Sequence, residues 1–138
     1  MSNKKLNYKI LTVDDQMGIN SFFYEFFTAR NYEVFNAISG KEAIKIVEKE
    51  RPRIILLDIN MRGMDGIETL EKIRQIDKEA VIIMVTGVKD DDMMKKAKEL
   101  GANDYITKPL SLEYLDKVVL LKLMNLQLKD LSEEIGSI

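Results

Sequence analysis

The sequence predicts an α/β fold: five short βα units, (βα)5, forming a doubly wound five-stranded parallel sheet, with an extended C-terminal helix. Three observations carry this reading. Apolar residues recur with a period that switches repeatedly between two and about 3.6, so strands alternate with helices. The connections are short, which for parallel strands means right-handed crossovers and helices on both faces of the sheet. Four of the five strands also run directly into a charged or hydroxyl residue.

The elements follow in order. Tyr8–Val13 (YKILTV) reads as a buried strand ending at Asp14 and Asp15. Ile19, Phe22, Phe23, Phe26 and Phe27 then fall on one helical face. Tyr32–Ala37 alternates as a strand, and Ser39 with Glu42 forms an S-x-x-E capping box for a helix carrying Ala43, Ile44 and Val47. Pro52 is a stop signal beyond it. Arg53–Leu57 is the third strand, and Asp65 with Glu68 caps a helix bearing Ile67, Leu70 and Ile73. Ala80–Val85 (AVIIMV) is continuously apolar, as in strands covered on both faces. Asp90–Asp92 cap a helix with Met93, Met94, Ala97 and Leu100, and Gly101 marks its end. Asp104–Thr107 is a short fifth strand before Lys108-Pro109, and Ser111 caps the last helix.

Composition narrows the function. The 138 residues suit one domain with a real core, 46% apolar and 32% charged. A net charge of -2 and a pI near 5.3 give no reason to expect a nucleic-acid surface. No apolar run approaches a membrane span, and MSNKKLNYK lacks the apolar core of a signal peptide. The absence of cysteine removes disulfide and zinc–thiolate chemistry and suits a cytoplasmic protein. The absence of histidine removes Ser–His triads and imidazole ligands, leaving Asp, Glu, Lys, Ser, Thr and Tyr for any chemistry.

Sites in open parallel sheets lie beyond the carboxyl ends of the strands. Asp14 and Asp15 stand at the first end, Asp58 at the third, Thr86-Gly87 at the fourth and Lys108-Pro109 at the fifth. Singly, each has an ordinary structural use: a helix cap, a strand-end hydroxyl, a turn. Jointly they set three carboxylates, a hydroxyl and an ammonium on one rim. Clustered carboxylates suit a hard cation such as Mg2+. A carboxylate there can attack phosphorus while a lysine neutralises the transferring oxygens.

These motifs make the chain similar to the receiver domain of two-component response regulators over Tyr8–Met124: the DD pair, LLDINM, the MDG after it, the T-G after strand four and the K-P after strand five. The resemblance implies the strand order 2-1-3-4-5 of flavodoxin-like sheets. It implies that Asp58 is the phospho-acceptor, that Asp15 ligates Mg2+ directly and Asp14 through water, and that Asn60 offers its backbone carbonyl to the metal. Lys108 would pair with the phosphoryl group, before a cis bond to Pro109, and Thr86 and Tyr105 would form the switch pair. Asn60 and Val88 occupy positions that tune dephosphorylation, and their lack of a base implies a phosphoryl lifetime of minutes or longer. The chain departs from the family at Arg62, where many members carry proline, so that the loop lacks a rigidifying ring.

The implied function is a phosphorylation-activated switch that assists only its own phosphorylation and dephosphorylation. Lacking histidine, the chain needs a separate histidine kinase or phosphotransfer protein as donor. Two other readings compete: a degenerate receiver acting as a binding module, and an aspartyl-phosphate phosphohydrolase, which would need an acid where Asn60 stands. The receiver domain is expected to span residues 1–124, with 125–138 extending the last helix. There Leu121, Met124, Leu128, Leu131 and Ile135 are spaced 3, 4, 3 and 4, a coiled-coil seam. The expectation is a homodimer through this helix, or a linker to an output domain beyond Ile138. With neither, the output partner would be recruited in trans.

Overall fold

The computed structural model describes residues 8–59, 61, 65–87, 90–107 and 112–136. They form β1 (Lys9–Val13), α1 (Met17–Thr28), β2 (Glu33–Ala37), α2 (Gly40–Glu50), β3 (Ile54–Asp58), α3 (Gly66–Ile76), β4 (Val81–Thr86), α4 (Asp91–Glu99), β5 (Asp104–Thr107) and α5 (Leu112–Gly136). The sheet is parallel throughout, in the order β2-β1-β3-β4-β5. The predicted elements and strand order are all present. The chain divides into two compact units, Met1–Lys108 with the sheet and α1–α4, and Pro109–Ile138 with α5.

The central strands β3 and β4 are buried at every position, which explains their unbroken apolar runs. Alternation still divides the sheet into two faces. Leu11, Val13, Ile55, Leu57, Ile82 and Met84 pack with Ala43 and Val47 of α2, Ile67, Leu70 and Ile73 of α3, and Ala97 of α4. The opposite face presents Thr12, Leu56 and Val85, which share a small cleft with Phe23 of α1.

The caps predicted for α2, α3 and α4 form. Ser39 Oγ accepts from Glu42 N at 3.2 Å, and the Glu42 carboxylate reaches back to Ile38 N at 2.9 Å. Asp65 caps α3 through Glu68 N, and Asp90 caps α4 through Asp92 N and Met93 N. Helix α2 ends at Glu50, two residues before Pro52, and its C-cap Arg51 lies in the left-handed region at φ 49°. Gly101, at φ +107°, follows α4. Its carbonyl accepts from Arg74 Nε and Nη2 at 2.9 and 2.7 Å, and Nη2 also reaches Asn103 Oδ1. That oxygen in turn accepts from Ile82 N.

Two expectations need correction. Helix α1 buries Asn20, Phe23 and Phe27, whereas Phe22 is exposed and Phe26 and Ile19 only half-buried. Five apolar positions make a stripe wider than the sheet covers. The surplus rings stack on each other, and the Arg30 guanidinium lies 3.7 Å from the centre of Phe26. Strands β3 and β4 also run one residue further than expected, because Asp58 still pairs with Val85 and Thr86 with Thr107.

In the second unit α5 runs unbroken across residue 124. Leu115, Val118, Val119, Leu123 and Leu126 are buried, while Leu121, Met124, Leu128, Leu131 and Ile135 are exposed. The 3-4-3-4 seam is therefore a separate stripe from the buried one.

Candidate functional site

Sheet register brings the predicted acids together. Val13 of β1 pairs with Leu57 of β3, so the next residues, Asp14 and Asp58, stand level at adjacent strand ends. Carboxylate oxygens of Asp14, Asp15 and Asp58 all lie within 4.8 Å of one another. Asp14 and Asp58 are only 4% and 7% exposed, and Asp15 is half-buried. Three hard oxygen donors held this closely fit a small divalent cation, which would relieve their mutual repulsion.

Backbone bonds hold the first acid in place. Asp14 N donates to Ala37 O at 3.0 Å, and Asp14 Oδ1 accepts from Gln16 N at 2.9 Å. Asp14 thus turns the chain into α1, whose N-cap residue Gln16 makes no side-chain cap. The structural and chemical readings of the DD pair are both true of Asp14.

Gly66 shapes the other side. Its N donates to Ile59 O at 2.9 Å, and a Cβ here would lie 2.3 Å from Asp58 O and 2.5 Å from Ile59 Cα. Only glycine lets the start of α3 lie against the peptide that carries the acid. The MDG triplet was visible in the sequence, but the reason for its glycine was not.

Thr86, the last residue of β4, is fully buried and bonds to Tyr105 of β5, which is half-buried. Burial and the nearby charge of Asp90 push the Tyr105 phenol above its ordinary value, while the Thr86 bond opposes them. Thr86→Ala is therefore expected to raise this pKa further and Asp90→Asn to lower it, read from the Tyr105 ring carbon shifts against pH. A raised folded pKa stabilises fully below the unfolded value, about 10, and that contribution is lost as pH rises through the folded one.

Asn60, Arg62, Val88, Lys108, Pro109 and Ser111 lie outside the described residues. Lys108 directly follows Thr107, the register partner of Thr86.

The family model for the response regulator receiver domain matches residues 10–120. The chain belongs to the response regulator receiver family. This receiver is 43% identical over 108 residues to sporulation initiation phosphotransferase F of Bacillus subtilis, covering 78% of the chain and 87% of that protein. It is 36% identical over 106 residues to the chemotaxis protein CheY of Treponema pallidum, covering 75% and 74%. Against the alkaline phosphatase synthesis transcriptional regulatory protein PhoP of Bacillus subtilis it is 40% identical over 107 residues, 77% of the chain but 44% of that protein. Among solved structures, a CheY-like receiver domain protein of Methanospirillum hungatei superimposes with a TM-score of 0.86 at 29% identity, covering 89% of this chain and 98% of that one. The receiver is a phosphorylation-activated signalling switch. Among the described residues, no helix is long and apolar enough to cross a membrane.

One residue escaped the sequence reading. Asn20, buried on the inner face of α1, donates from Nδ2 to Asp14 O at 2.7 Å and to Ala37 O at 3.0 Å. Its Oδ1 accepts from Thr12 Oγ1 at 3.1 Å. The available signal was a polar residue three and seven positions before two core phenylalanines.

Proposed function

We propose that Asp58 accepts the phosphoryl group, from a histidine kinase or phosphotransfer protein in the cytoplasm, with Mg2+ held by Asp14, Asp15, Asp58 and the backbone carbonyl of Asn60. The observation that supports this most directly is the convergence of three carboxylates around a strand-end Asp58. The Asp58 carboxylate attacks phosphorus, its new P–O bond replacing the donor's bond to the transferred group, and the donor leaves with that electron pair. The strand pairing of Asp58 restricts its approach to one direction. Thr86 would donate its hydroxyl to a phosphoryl oxygen, and Lys108 would supply positive charge to another. Bound Mg2+ would neutralise charge on the acids and on the transferring group.

Once Thr86 turns to the phosphoryl group its bond to Tyr105 is released, and the phenol ring carries the change to the β5 surface. The C-terminal seam offers homodimerisation, or continuation into an output domain, as the route onward. An output partner bound in trans would use the receiver surface alone.

Acetyl phosphate with Mg2+ should produce a stable adduct on the receiver, absent in Asp58→Ala and decaying over minutes or longer. Rapid multiple turnover would indicate a phosphohydrolase, and no adduct would indicate a binding module.

A further inference from the structure

Asn20 carries no charge and is buried within α1, yet it bonds to the backbone between the two acids. The carbonyl of Asp14 belongs to the peptide unit that joins Asp14 to Asp15. Peptide units are planar, so fixing that oxygen fixes the direction of the Asp15 N–H and narrows the range of relations open to the two side chains that flank it. The second Nδ2 hydrogen goes to Ala37 O, at the end of β2, which also accepts from Asp14 N. One carboxamide therefore fastens α1, the end of β1 and the end of β2 at a single point.

The carboxamide is itself held in orientation. Thr12 Oγ1 donates to its Oδ1, and the Asn36 side chain donates to Thr12 Oγ1 and to Asn20 O. With both Nδ2 hydrogens and Oδ1 engaged, a flipped amide would set Oδ1 against two carbonyl oxygens and lose both bonds to them.

We infer that Asn20 is a positioning residue for the metal site: by pinning the Asp14–Asp15 peptide it sets the spacing of the carboxylates and so the affinity for the cation. This rests on the reading of the acid cluster as an Mg2+ site. Residues that orient ligands in this way typically change metal affinity by about 10–100-fold when removed. Without the amide, the peptide loses the restraint on its oxygen, and more of the ordering cost falls on the binding step.

The experiment is Mg2+ titration of the full chain, followed by calorimetry and by amide chemical shifts, for the wild type, Asn20→Ala, Asn20→Ser and two controls. Asn20→Ser has a hydroxyl too short to span carbonyls on two strands. Val47→Ala loosens the core beneath α2 and touches none of these bonds. Ile73→Val loosens the core far along α3. Both Asn20 variants are expected to bind Mg2+ at least about 10-fold more weakly, with the controls within about twofold of wild type whatever their loss of thermal stability. Saturating Mg2+ should return acetyl phosphate labelling of the Asn20 variants to near the wild-type rate. Wild-type Mg2+ affinity in both Asn20 variants, or equal weakening in Ile73→Val, would overturn the inference alone. Absence of Mg2+ binding by the wild type would overturn the proposed site, and the inference with it.

Discussion

Gly66→Ala is expected to destabilise the receiver by about 3 kcal/mol or more and to impair phosphoryl acceptance in whatever fraction remains folded. The added methyl would meet Asp58 O at 2.3 Å and Ile59 Cα at 2.5 Å. Both are backbone atoms, so no rotamer change relieves the contact. Asp58 is paired in the sheet, which leaves the start of α3 as the part that must retreat. Retreat would break the bond from Gly66 N to Ile59 O and disturb the Asp65 cap one residue earlier. Urea unfolding measures the loss. The same substitution at Gly18 or Gly87, where a Cβ meets nothing within 4 Å, should cost far less. Equal losses at all three would show that the close approach at Gly66 is not what demands glycine.

Asp58→Asn should have two opposite effects. Labelling by acetyl phosphate should fall by at least about 100-fold, because the amide cannot act as the nucleophile. Stability without Mg2+ should instead rise by about 1–2 kcal/mol. Two charges this close repel by roughly 3 kcal/mol at an effective dielectric of about 20, and the bonds of the folded site offset part of it. Asp58 contributes to two such pairs within the 4.8 Å cluster. Added Mg2+ should then raise the melting temperature of the wild type more than that of the variant, since a ligand stabilises according to its affinity for the folded state. A variant less stable than the wild type in metal-free buffer would show that the acids are already neutralised by other contacts.

Most of the architecture was legible because its signals are local. Ser39, Asp65 and Asp90 each cap through a backbone N–H two or three residues away, which a one-dimensional pattern can express. The acid cluster was legible for a related reason: strand-end letters identify a rim before the strand order is known. The overlooked features depend on distant neighbours. Asn20 acquires its role only where α1, β1 and β2 meet. The outer edge of the α1 stripe is set by how much of the helix the sheet can cover, which left Phe22 outside. The last residues of β3 and β4 remain in the ladder because of partners on the next strand.

The Arg74 guanidinium makes α4 an unequal lever. The turn after Glu99 is tied to α3 through Gly101 O and, through Asn103, to the Ile82 amide of β4. Asp90, which caps the other end, bonds in that role only to the helix's own first turn. A force reaching α4 from the Thr86–Tyr105 pair would therefore swing it about its C-terminal end, with displacement growing toward Asp91. The length of α4 would set how far a small change at the strand ends is magnified at the surface.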